Sequence, residues 1–547
     1  MSLATFLTDF TGIEILSLLI FLYAETHYSF KGIYSRLKKK EPEIIADLPH
    51  RIEPNLPIPV LILIKDADRF PIYLQKIQIE LIKNGKREVF SFENKHQPIS
   101  CKFWHKILEI SPRGNYRGKT FVDVIIHYMR NGKKRTIRND NYAGTRHAPF
   151  EIHISEHELP KSDGWHFGEF HCHTIYTSDQ VEFGAPLEAT THLAQAMGLT
   201  FFCATDHSYD LDDHLNDYLE NDPHLLKWKK FQHEVQKLNK TNSRFVIVPG
   251  EEVSAGNHRN RNIHFLILNH PEFLPGDGDS AEKWLQTEPN LSIEQILDKI
   301  NSNALAFAAH PEIKPPLLER LLVRRGKWQD QDYRHRRLNG LQIWNGTEDG
   351  LKEGKEKWIQ LLLQGRRLFI SGGNDAHGNF NRFRQVGFPF LTMSENPYHL
   401  FGKVRTGVYL ENGLSLNKLL QAFKQGRMVV TDGPFVNFWL KNESNQIARM
   451  GSSIFGKKFT VEIECRSTPE FGRLKELRIY IGHLIDKKER LIKTKKAFSS
   501  QYQQFERINI NEKISPSYLR AELYSELNGK SFKCLTNPIW VNWTFAS

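Results

Sequence analysis

The sequence predicts an α/β fold, in which a central region of alternating strands and helices is flanked on both sides by all-β segments. Residues 58–160 contain short runs of β-branched and aromatic residues separated by turns such as NGK and RNGKK, which is typical of antiparallel strands. In residues 161–434, apolar runs such as FFCATD and RFVIVPG alternate with amphipathic stretches such as SIEQILDKINS, which indicates βα units. Residues 435–547 return to strand patterns such as KFTVEIEC. We therefore predict β-sandwich-like domains before and after an α/β domain.

Residues 1–57 form the remaining predicted unit, a helix followed by a linker. The apolar run IEILSLLIFLYA is much shorter than the roughly 20 residues that a membrane-spanning helix needs. We expect the helix around residues 10–24 to dock on the protein, and peripheral contact with a membrane stays open as the alternative. The stretch EPEIIADLPHRIEPNLP is rich in proline and charge, which predicts a linker.

Composition excludes several classes of protein. The chain has 547 residues, of which 40% are hydrophobic and 25% charged, as in an ordinary globular protein. Its five cysteines include no CxxC pair, which argues against a disulfide framework and predicts a reducing, cytoplasmic location. The net charge of +11 raises the question of a nucleic-acid partner. No stretch interleaves basic residues with aromatics as such a binder requires, so none is predicted.

Metal-ligating residue types stand at the ends of the predicted strands in the central region. The motifs are GEFHCHT, ATDHS, PGEEVS, NIHFLI, AAHPE and GGNDAHG. In a βα fold, residues at the carboxyl ends of the strands meet at one face although they are distant in sequence. Imidazole and carboxylate groups without cysteine suit Mn, Fe or Zn. The candidates are His171, His173, Asp206, His207, Glu251, Glu252, His264, His310, Asp375 and His377.

Together, FHCHTIYTSD, ATDHS, PGEEVS, AAHP and GGNDAHG resemble the PHP (polymerase and histidinol phosphatase) metallohydrolase family over about residues 168–434. The resemblance implies a distorted seven-stranded (β/α) barrel with two or three divalent metal ions. GRMVVTDGPF at residues 426–435 is similar to the carbaryl hydrolase-like branch of that family. The implied metal ligands are His171, His173, Asp179, His207, Glu252, His264, His310, Asp375 and His377.

The resemblance also leaves alternatives open. SDQ stands at residues 178–180 where the family has SDG, so a third metal ion is less certain than two, and Glu251 can exchange with Glu252. Our hypothesis for the ions has three ligand sets. They are His171, His173, Glu252 and Asp375; then Glu252, His264 and His310; then Asp179, His207 and His377.

The predicted function is a metal-dependent hydrolase that activates water at a two- or three-metal site. Basic residues near the ligand motifs favour a small anionic substrate, a phosphoester, because arginine binds phosphate through two parallel hydrogen bonds. Asp206 either orients an imidazole or caps the following helix. The alternatives are a carbamate, carboxylic ester or amide hydrolase on the same site, and a non-catalytic binding module with a metal-stabilised core. The basic residues are Arg259, Arg261, Lys314, Arg382 and Arg384. The predicted catalytic residues are Asp206, Arg382 and Arg384.

Overall fold

Strands make up 47% of the described residues and helices 15%. The computed structural model describes residues 41–114, 116–141, 147–177, 184–215, 217–278, 287–382, 385–388, 391–394, 399–510 and 516–543. Within them, none of the helices combines the length and the apolar character that crossing a bilayer requires.

The first nine strands build two sheets over one hydrophobic core, and all their pairs are antiparallel except β2 with β9. β1, β3 and β6 form one sheet, and β2, β9, β7, β4 and β5 follow one another in the second, with β8 beside β7. The sequence predicts a linker that ends at residue 57, but the structure has strands β1 and β2 in that stretch. These strands belong to the domain because Ile44 and Ile52 are fully buried in its hydrophobic core. The bounds of β1 to β9 are Glu43–Asp47, Arg51–Ile52, Ile58–Lys65, Ile72–Lys83, Lys86–Ile99, Phe103–Ile110, Gly118–Arg130, Lys133–Arg138 and Phe150–Ile154.

The central region contains the strands and most of the helices that its sequence pattern predicts. Helix α4 starts as the sequence suggests: the Ser292 side chain accepts from the Gln295 N–H, and the Gln295 side chain accepts from the Ser292 N–H, which forms a capping box. Strands β10 to β23 are Trp165–His173, Phe201–Ala204, Asp213–His214, Asp217–Asn221, Val246–Gly256, Asn262–Leu268, Leu305–Ala309, Gly340–Asn345, Phe369–Gly373, Ala376–His377, Gln385–Phe388, Leu391–Ser394, Arg405–Tyr409 and Met428–Thr431. Helices α1 to α7 are Leu187–Ala196, Ser208–Leu211, Leu226–Thr241, Ile293–Lys299, Leu317–Leu322, Leu351–Leu363 and Leu416–Gln425, and a 3₁₀ turn spans Asp332–Arg334.

The remaining strands form two layers. β25, β24, β27 and β30 make a four-stranded sheet, and the other strands extend the large central sheet. Phe438 and Ile463 of the small sheet share a hydrophobic core with Ile479 and Leu523 of the large one. The bounds of β24 to β33 are Phe435–Asn442, Ile447–Arg449, Ser453–Gly456, Phe459–Arg466, Arg473–His483, Lys488–Lys495, Gln503–Ile510, Ser517–Leu527, Lys530–Thr536 and Ile539–Trp543.

The prediction of a distorted seven-stranded (β/α) barrel is wrong. Most of the central strands belong to one mixed sheet with the order β18-β17-β16-β15-β14-β11-β10-β22-β23-β32-β31-β28-β29. β12 with β13 and β20 with β21 form separate two-stranded sheets. β15 is antiparallel to both β14 and β16, and β22 is antiparallel to β10. The short connection from β14 to β15 explains part of this, because a parallel pair needs a crossover of about a dozen residues. The sheet runs on through β23 into β32, so the described strands form a β-rich fold with few helices.

Candidate metal centre

Strand β10 ends in the two histidines of the HCH motif. Side chains alternate along a strand, so His171 and His173 share one face, while Cys172 lies in the hydrophobic core. Glu169 stands two residues before His171 in the same strand. Its carboxylate accepts hydrogen bonds from the N–H groups of His171 at 3.1 Å and Asn374 at 2.8 Å. This buried carboxylate therefore fixes the strand end from which both histidines project.

The neighbouring strands bring the other predicted ligands to the same place. The Glu252 N–H in β14 donates to the Asp206 carbonyl at 2.9 Å, which keeps the following residue, His207, beside β14. β19 pairs with β10 so that His377 is the register partner of His173, and their rings stack with centroids 4.2 Å apart. The set is completed by His264 in β15, His310 after β16 and Asp375 after β18.

The carboxylate of Glu252 lies at the centre of this cluster. Its side chain is fully buried, and nitrogens of five histidines surround its two oxygens. A carboxylate and imidazoles that approach one another in this way could hold a metal ion. The nitrogen–oxygen distances are 3.3 Å from His171, 3.4 Å from His173, 3.1 Å from His207, 2.8 Å from His264 and 3.4 Å from His310.

Asp375 supplies a second carboxylate. Its Oδ1 lies 2.9 Å from His173 Nε2 and 3.3 Å from His171 Nε2, and its Oδ2 lies 3.8 Å from His310 Nε2. The buried His/Glu/Asp cluster could therefore bind a metal ion. Three overlapping groups have ligand atoms within 4.8 Å of one another: His171, His173, Glu252 and Asp375; His207, Glu252 and His264; and His173, His207 and His377.

Buried polar atoms without hydrogen-bond partners show that the cluster suits a cation. Buried polar groups nearly always have a partner, and an unpaired buried charge is costly. Here such atoms belong to ligand-type side chains that converge on one place, so a metal ion could satisfy them together. Within the described part of the chain, the atoms are His171 Nε2, His207 Nδ1, His310 Nε2 and both carboxylate oxygens of Glu252.

The histidines keep the carboxylates ionised. Burial raises the pKa of Glu252, but contacts with His264 and His171 outweigh burial and hold this pKa well below its ordinary value. Asp375 follows the same pattern: burial is outweighed by His171, and its pKa is also well below the ordinary value. Burial lowers the pKa of His207 to about 3. That ring therefore stays neutral and keeps a lone pair for a metal ion.

Two cluster residues take a left-handed backbone conformation. The φ angles are +52° at Asp375 and +30° at His310. For residues other than glycine this conformation costs energy, and it persists where the surrounding structure enforces it. One enforcing contact is the hydrogen bond from the Asp375 N–H to the His171 carbonyl at 2.9 Å. A Cβ on nearby Gly373 would lie 2.7 Å from the His171 nitrogen, so this close approach requires glycine.

Two amide side chains behind the cluster connect a histidine to a carboxylate. Gln342 Oε1 lies 2.8 Å from His171 Nδ1. Gln342 Nε2 donates to Asn345 Oδ1 at 2.9 Å, and Asn345 Nδ2 donates to Asp375 Oδ2 at 3.3 Å. A carbonyl oxygen only accepts, so His171 carries a proton on Nδ1, and its Nε2 faces the cluster. Partners of this kind orient metal-binding histidines.

The hydrogen bonds of Asp206 go to a turn, whereas the sequence suggests an imidazole or a helix end as its partner. Its Oδ1 accepts hydrogen bonds from the N–H groups of Thr174 at 2.6 Å and Thr177 at 2.9 Å. Its Oδ2 accepts from the Thr174 hydroxyl at 2.8 Å. Asp206 therefore holds the turn that follows His173, and it positions the end of β10 rather than touching the reacting atoms.

A cleft of about 270 Å³ adjoins the cluster and is lined by His264, His310 and Asp375. Arg325 also lines it and contacts His264 Nε2 through Nη1. This cleft gives a small molecule a place beside the candidate ligands. The charged residues that line it besides Asp375 are Arg325, Lys327, Glu319 and Asp349.

Two of the basic residues predicted to bind an anionic substrate, Arg382 and Arg261, have other contacts. Arg382 Nη2 donates to the His377 carbonyl at 3.0 Å, and its Nε lies 3.7 Å from Asp47 Oδ2. Arg382 lines a separate cavity. Arg261 Nη1 donates to the Arg320 carbonyl at 3.0 Å. Among the described residues, neither arginine lines the cleft beside Asp375.

Three predictions fall outside the described residues. They concern the ligand Asp179, the catalytic residue Arg384 and the helix at residues 10–24. The third ligand set of the sequence hypothesis therefore reduces, within the described chain, to His207 and His377, which the structure groups with His173.

Some positioning residues were missed by the sequence analysis. Glu169 stands two residues before the HxH pair, but the register of β10 shifts between Glu169 and Cys172, so the strand period does not place it. Asn345 follows Gln342 in an apolar strand, but its distance from Asp375 in sequence hides their contact. Arg325 is 61 residues from His264 and belongs to no recognisable motif, so only the folded chain reveals it.

Comparisons with known proteins identify no relative. No protein-family model matches the chain, and no curated protein matches it. A Parabacteroides merdae β-glucuronidase is 8% identical, with 93% of this chain and 64% of that chain covered and a TM-score of 0.20. This chain therefore spans less than two thirds of that protein. A Paenibacillus sp. cycloisomaltooligosaccharide glucanotransferase is also 8% identical, with 90% and 71% covered and a TM-score of 0.15. Similarity at this level carries no argument about fold or activity.

Proposed function

We propose that this protein is a metal-dependent hydrolase whose active centre is the cluster around Glu252. The observation that carries the proposal is the approach of five histidine nitrogens to within 3.4 Å of one buried carboxylate. A purely structural metal needs only four closed ligands. Here the ligand-type residues exceed that number, and an open cleft adjoins them. The motif resemblance to the PHP metallohydrolases supports the same activity, although the barrel it implies is not present.

The donor set suits two or three ions of Mn, Fe or Zn, because it consists of imidazoles and carboxylates without a thiolate. Glu252 belongs to two of the three ligand groups, and His173 and His207 are likewise each shared by two. These shared residues would hold the ions in one cluster. A divalent ion, when bound, supplies positive charge that acidifies water and offsets charge developing in the substrate.

The chain's own residues prepare this centre. Gln342 fixes the proton of His171 at Nδ1, so its Nε2 is available as a ligand. Glu169 holds the backbone of His171 and of Asn374, the residue before Asp375. These buried bonds set the ligands in place before any ion or substrate arrives, which lowers the cost of reorganisation during the reaction.

The proposed substrate is a small phosphoester that enters the cleft. Arg325 lines the cleft beside His264, and a guanidinium binds two oxygens of a phosphate at once. Lys327 adds a second cation to the same wall. In this proposal Arg325 binds the substrate, a role that the sequence analysis gave to Arg382 and Arg384.

A second candidate is the hydrolysis of a carbamate or carboxylic ester at the same centre. Glu319 and Asp349 also line the cleft, so its formal charge is close to balanced apart from the ligands. Much of the remaining lining is apolar, with Ile313 and Pro316 among it. Such a wall accepts a neutral substrate as readily as an anion.

The release of p-nitrophenol by the manganese-loaded protein tests the proposal. The substrates are a phosphate monoester, a phosphate diester and a carboxylic ester, each assayed with and without prior chelation. We expect metal-dependent release from a phosphate ester. His171→Ala should abolish it, whereas His192→Ala, on the exposed face of α1, should not. Release from the carboxylic ester alone favours the second candidate. Activity that survives chelation or His171→Ala refutes the proposed centre, and no release from any substrate favours the binding-module alternative.

A further inference from the structure

A second cavity, of about 690 Å³, lies where the N-terminal sheets, the segment before β22 and the C-terminal strands meet. Among the described residues, none of the candidate metal ligands lines it. Its volume is in the range of small-molecule sites. Its cationic lining residues are Arg51, Lys119, Arg382, Lys403, Arg405 and Lys530.

Arg405 is the most informative of these residues. It is only 3% exposed, and its Nη1 donates to the carbonyls of Gly402 at 3.1 Å and Lys403 at 3.4 Å. Its Nη2 is buried and has no hydrogen-bond partner within the described chain. A guanidinium is always charged, and a buried donor that makes no hydrogen bond is costly. The fold therefore retains at the cavity wall a charged donor whose Nη2 makes no hydrogen bond to the described residues.

Several charges around the cavity are already paired. Arg51 Nε lies 2.9 Å from Glu470 Oε1, and Lys119 Nζ lies 2.7 Å from Glu151 Oε2. Asp432 also lines the cavity. Burial raises its pKa to about 6, and the nearby Arg405 guanidinium limits that rise, so this acid is partly balanced by Arg405.

Lysines stand on the same wall as Arg405. Lys403 and Lys530 are close enough that Lys530 lowers the pKa of Lys403, although burial is the larger cause. An anion placed among these groups relieves the repulsion between the two lysines. Apolar side chains complete the wall: the Lys530 Nζ lies 4.6 Å from the Phe532 ring centre, and the Arg405 guanidinium lies 5.3 Å from the Phe471 ring centre.

We propose that this cavity is a second binding site, separate from the metal cluster, for a small molecule that carries a phosphate group. The phosphate is held by Arg405, Lys403 and Lys530, and the rest of the ligand lies against Phe471 and Phe532. Phosphate suits the wall because its tetrahedral oxygens can accept from several cationic donors at once. The site does not depend on the proposed hydrolase function.

Isothermal titration of the full-length protein with inorganic phosphate tests this site, with sodium chloride at matched ionic strength as the blank. Sodium acetate provides a carboxylate comparison. We expect saturable phosphate binding that Arg405→Gln weakens at least about tenfold, as for a hydrogen bond to a charged group. Acetate should bind more weakly than phosphate. Lys530→Gln, at an exposed position, should weaken phosphate binding several-fold without affecting folding.

Two controls identify where the phosphate binds. Lys475→Gln removes an exposed lysine that pairs with Glu526, away from the cavity lining, and should leave the dissociation constant unchanged. His171→Ala alters the metal cluster and should also leave it unchanged. Loss of phosphate binding in His171→Ala would assign it to the metal centre and overturn the proposal. The absence of saturable binding, or equal weakening by Lys475→Gln and Lys530→Gln, would overturn it as well.

Discussion

Replacing Gln342 by alanine tests how the centre is organised without removing any candidate ligand. The amide receives the Nδ1 proton of His171 at 2.8 Å and donates to Asn345, which in turn donates to Asp375. The substitution therefore releases a histidine and a carboxylate of the same ligand group together. Changes to such outer partners cost about 10- to 100-fold in metal affinity, or about 1.4–2.7 kcal/mol. The buried His171 Nδ1 also loses its partner, at about 1–3 kcal/mol of folding free energy.

Competition with a fluorescent chelator for zinc and for manganese measures the affinity, and urea unfolding followed by circular dichroism measures the stability. Gln342→Glu keeps an acceptor oxygen for His171 and should lose less affinity than Gln342→Ala. Gln503→Ala, at an exposed strand position, is the matched control and should match the wild type. If Gln342→Ala binds both metals as tightly as Gln503→Ala does, the orienting role of Gln342 is refuted.

Further predictions concern other parts of the molecule. Gly373→Ala should reduce the free energy of unfolding by about 1–3 kcal/mol, as overpacking does, because its Cβ would lie 2.7 Å from the His171 nitrogen; thermal melts measure this. Arg325→Gln should raise KM for a phosphoester about tenfold while metal content, measured by mass spectrometry, stays at the wild-type level. Burial, with Arg405 nearby, lowers the pKa of His50 to about 3. Below about pH 6.5 the unfolded chain takes up a proton that the folded chain does not, so this residue reduces stability as the pH falls towards 3. His50→Gln should therefore weaken the decline in urea-unfolding free energy from about pH 7 to pH 5, and an unchanged slope would contradict this pKa.

The individual strands of the central region could be predicted from sequence, whereas their arrangement could not. Apolar runs such as RFVIVPG and NIHFLILN mark β14 and β15 as buried strands. A buried run looks the same whether its neighbours are parallel or antiparallel, so hydrophobic pattern alone leaves strand direction open. The β14–β15 hairpin follows from the short connection between its strands, but the continuation of the sheet through β23 into β32 depends on contacts between distant segments. The barrel prediction is wrong because the hydrophobic pattern specifies neither the direction of the strands nor their pairing.

The candidate ligands were easier to predict than the residues that support them. HCH, TDH and NDAH place ligand types at fixed local spacings, and His171, His207 and Asp375 meet in the structure as those motifs suggest. Gln342 and Arg325 reach the cluster through the fold alone. Basic residues were predicted to bind the substrate because they follow the ligand motifs in the sequence. Arg382 instead donates to the His377 carbonyl and lines another cavity. Closeness along the chain after a strand end does not fix the direction of a long side chain.

Metal binding by the wild type and by Glu252→Gln tests the central claim most directly. Glu252 is the carboxylate that five histidines surround, and the amide keeps its shape while removing its charge. After loading with manganese or zinc and gel filtration, we expect the wild type to retain one or more ions per chain. We also expect a chelator to lower its melting temperature, because an ion bound only to the folded chain stabilises it. Glu252→Gln should lose both the ions and the response to chelator. Equal metal content in the two proteins, or a wild-type melting temperature unaffected by chelation, would contradict the proposed metal centre.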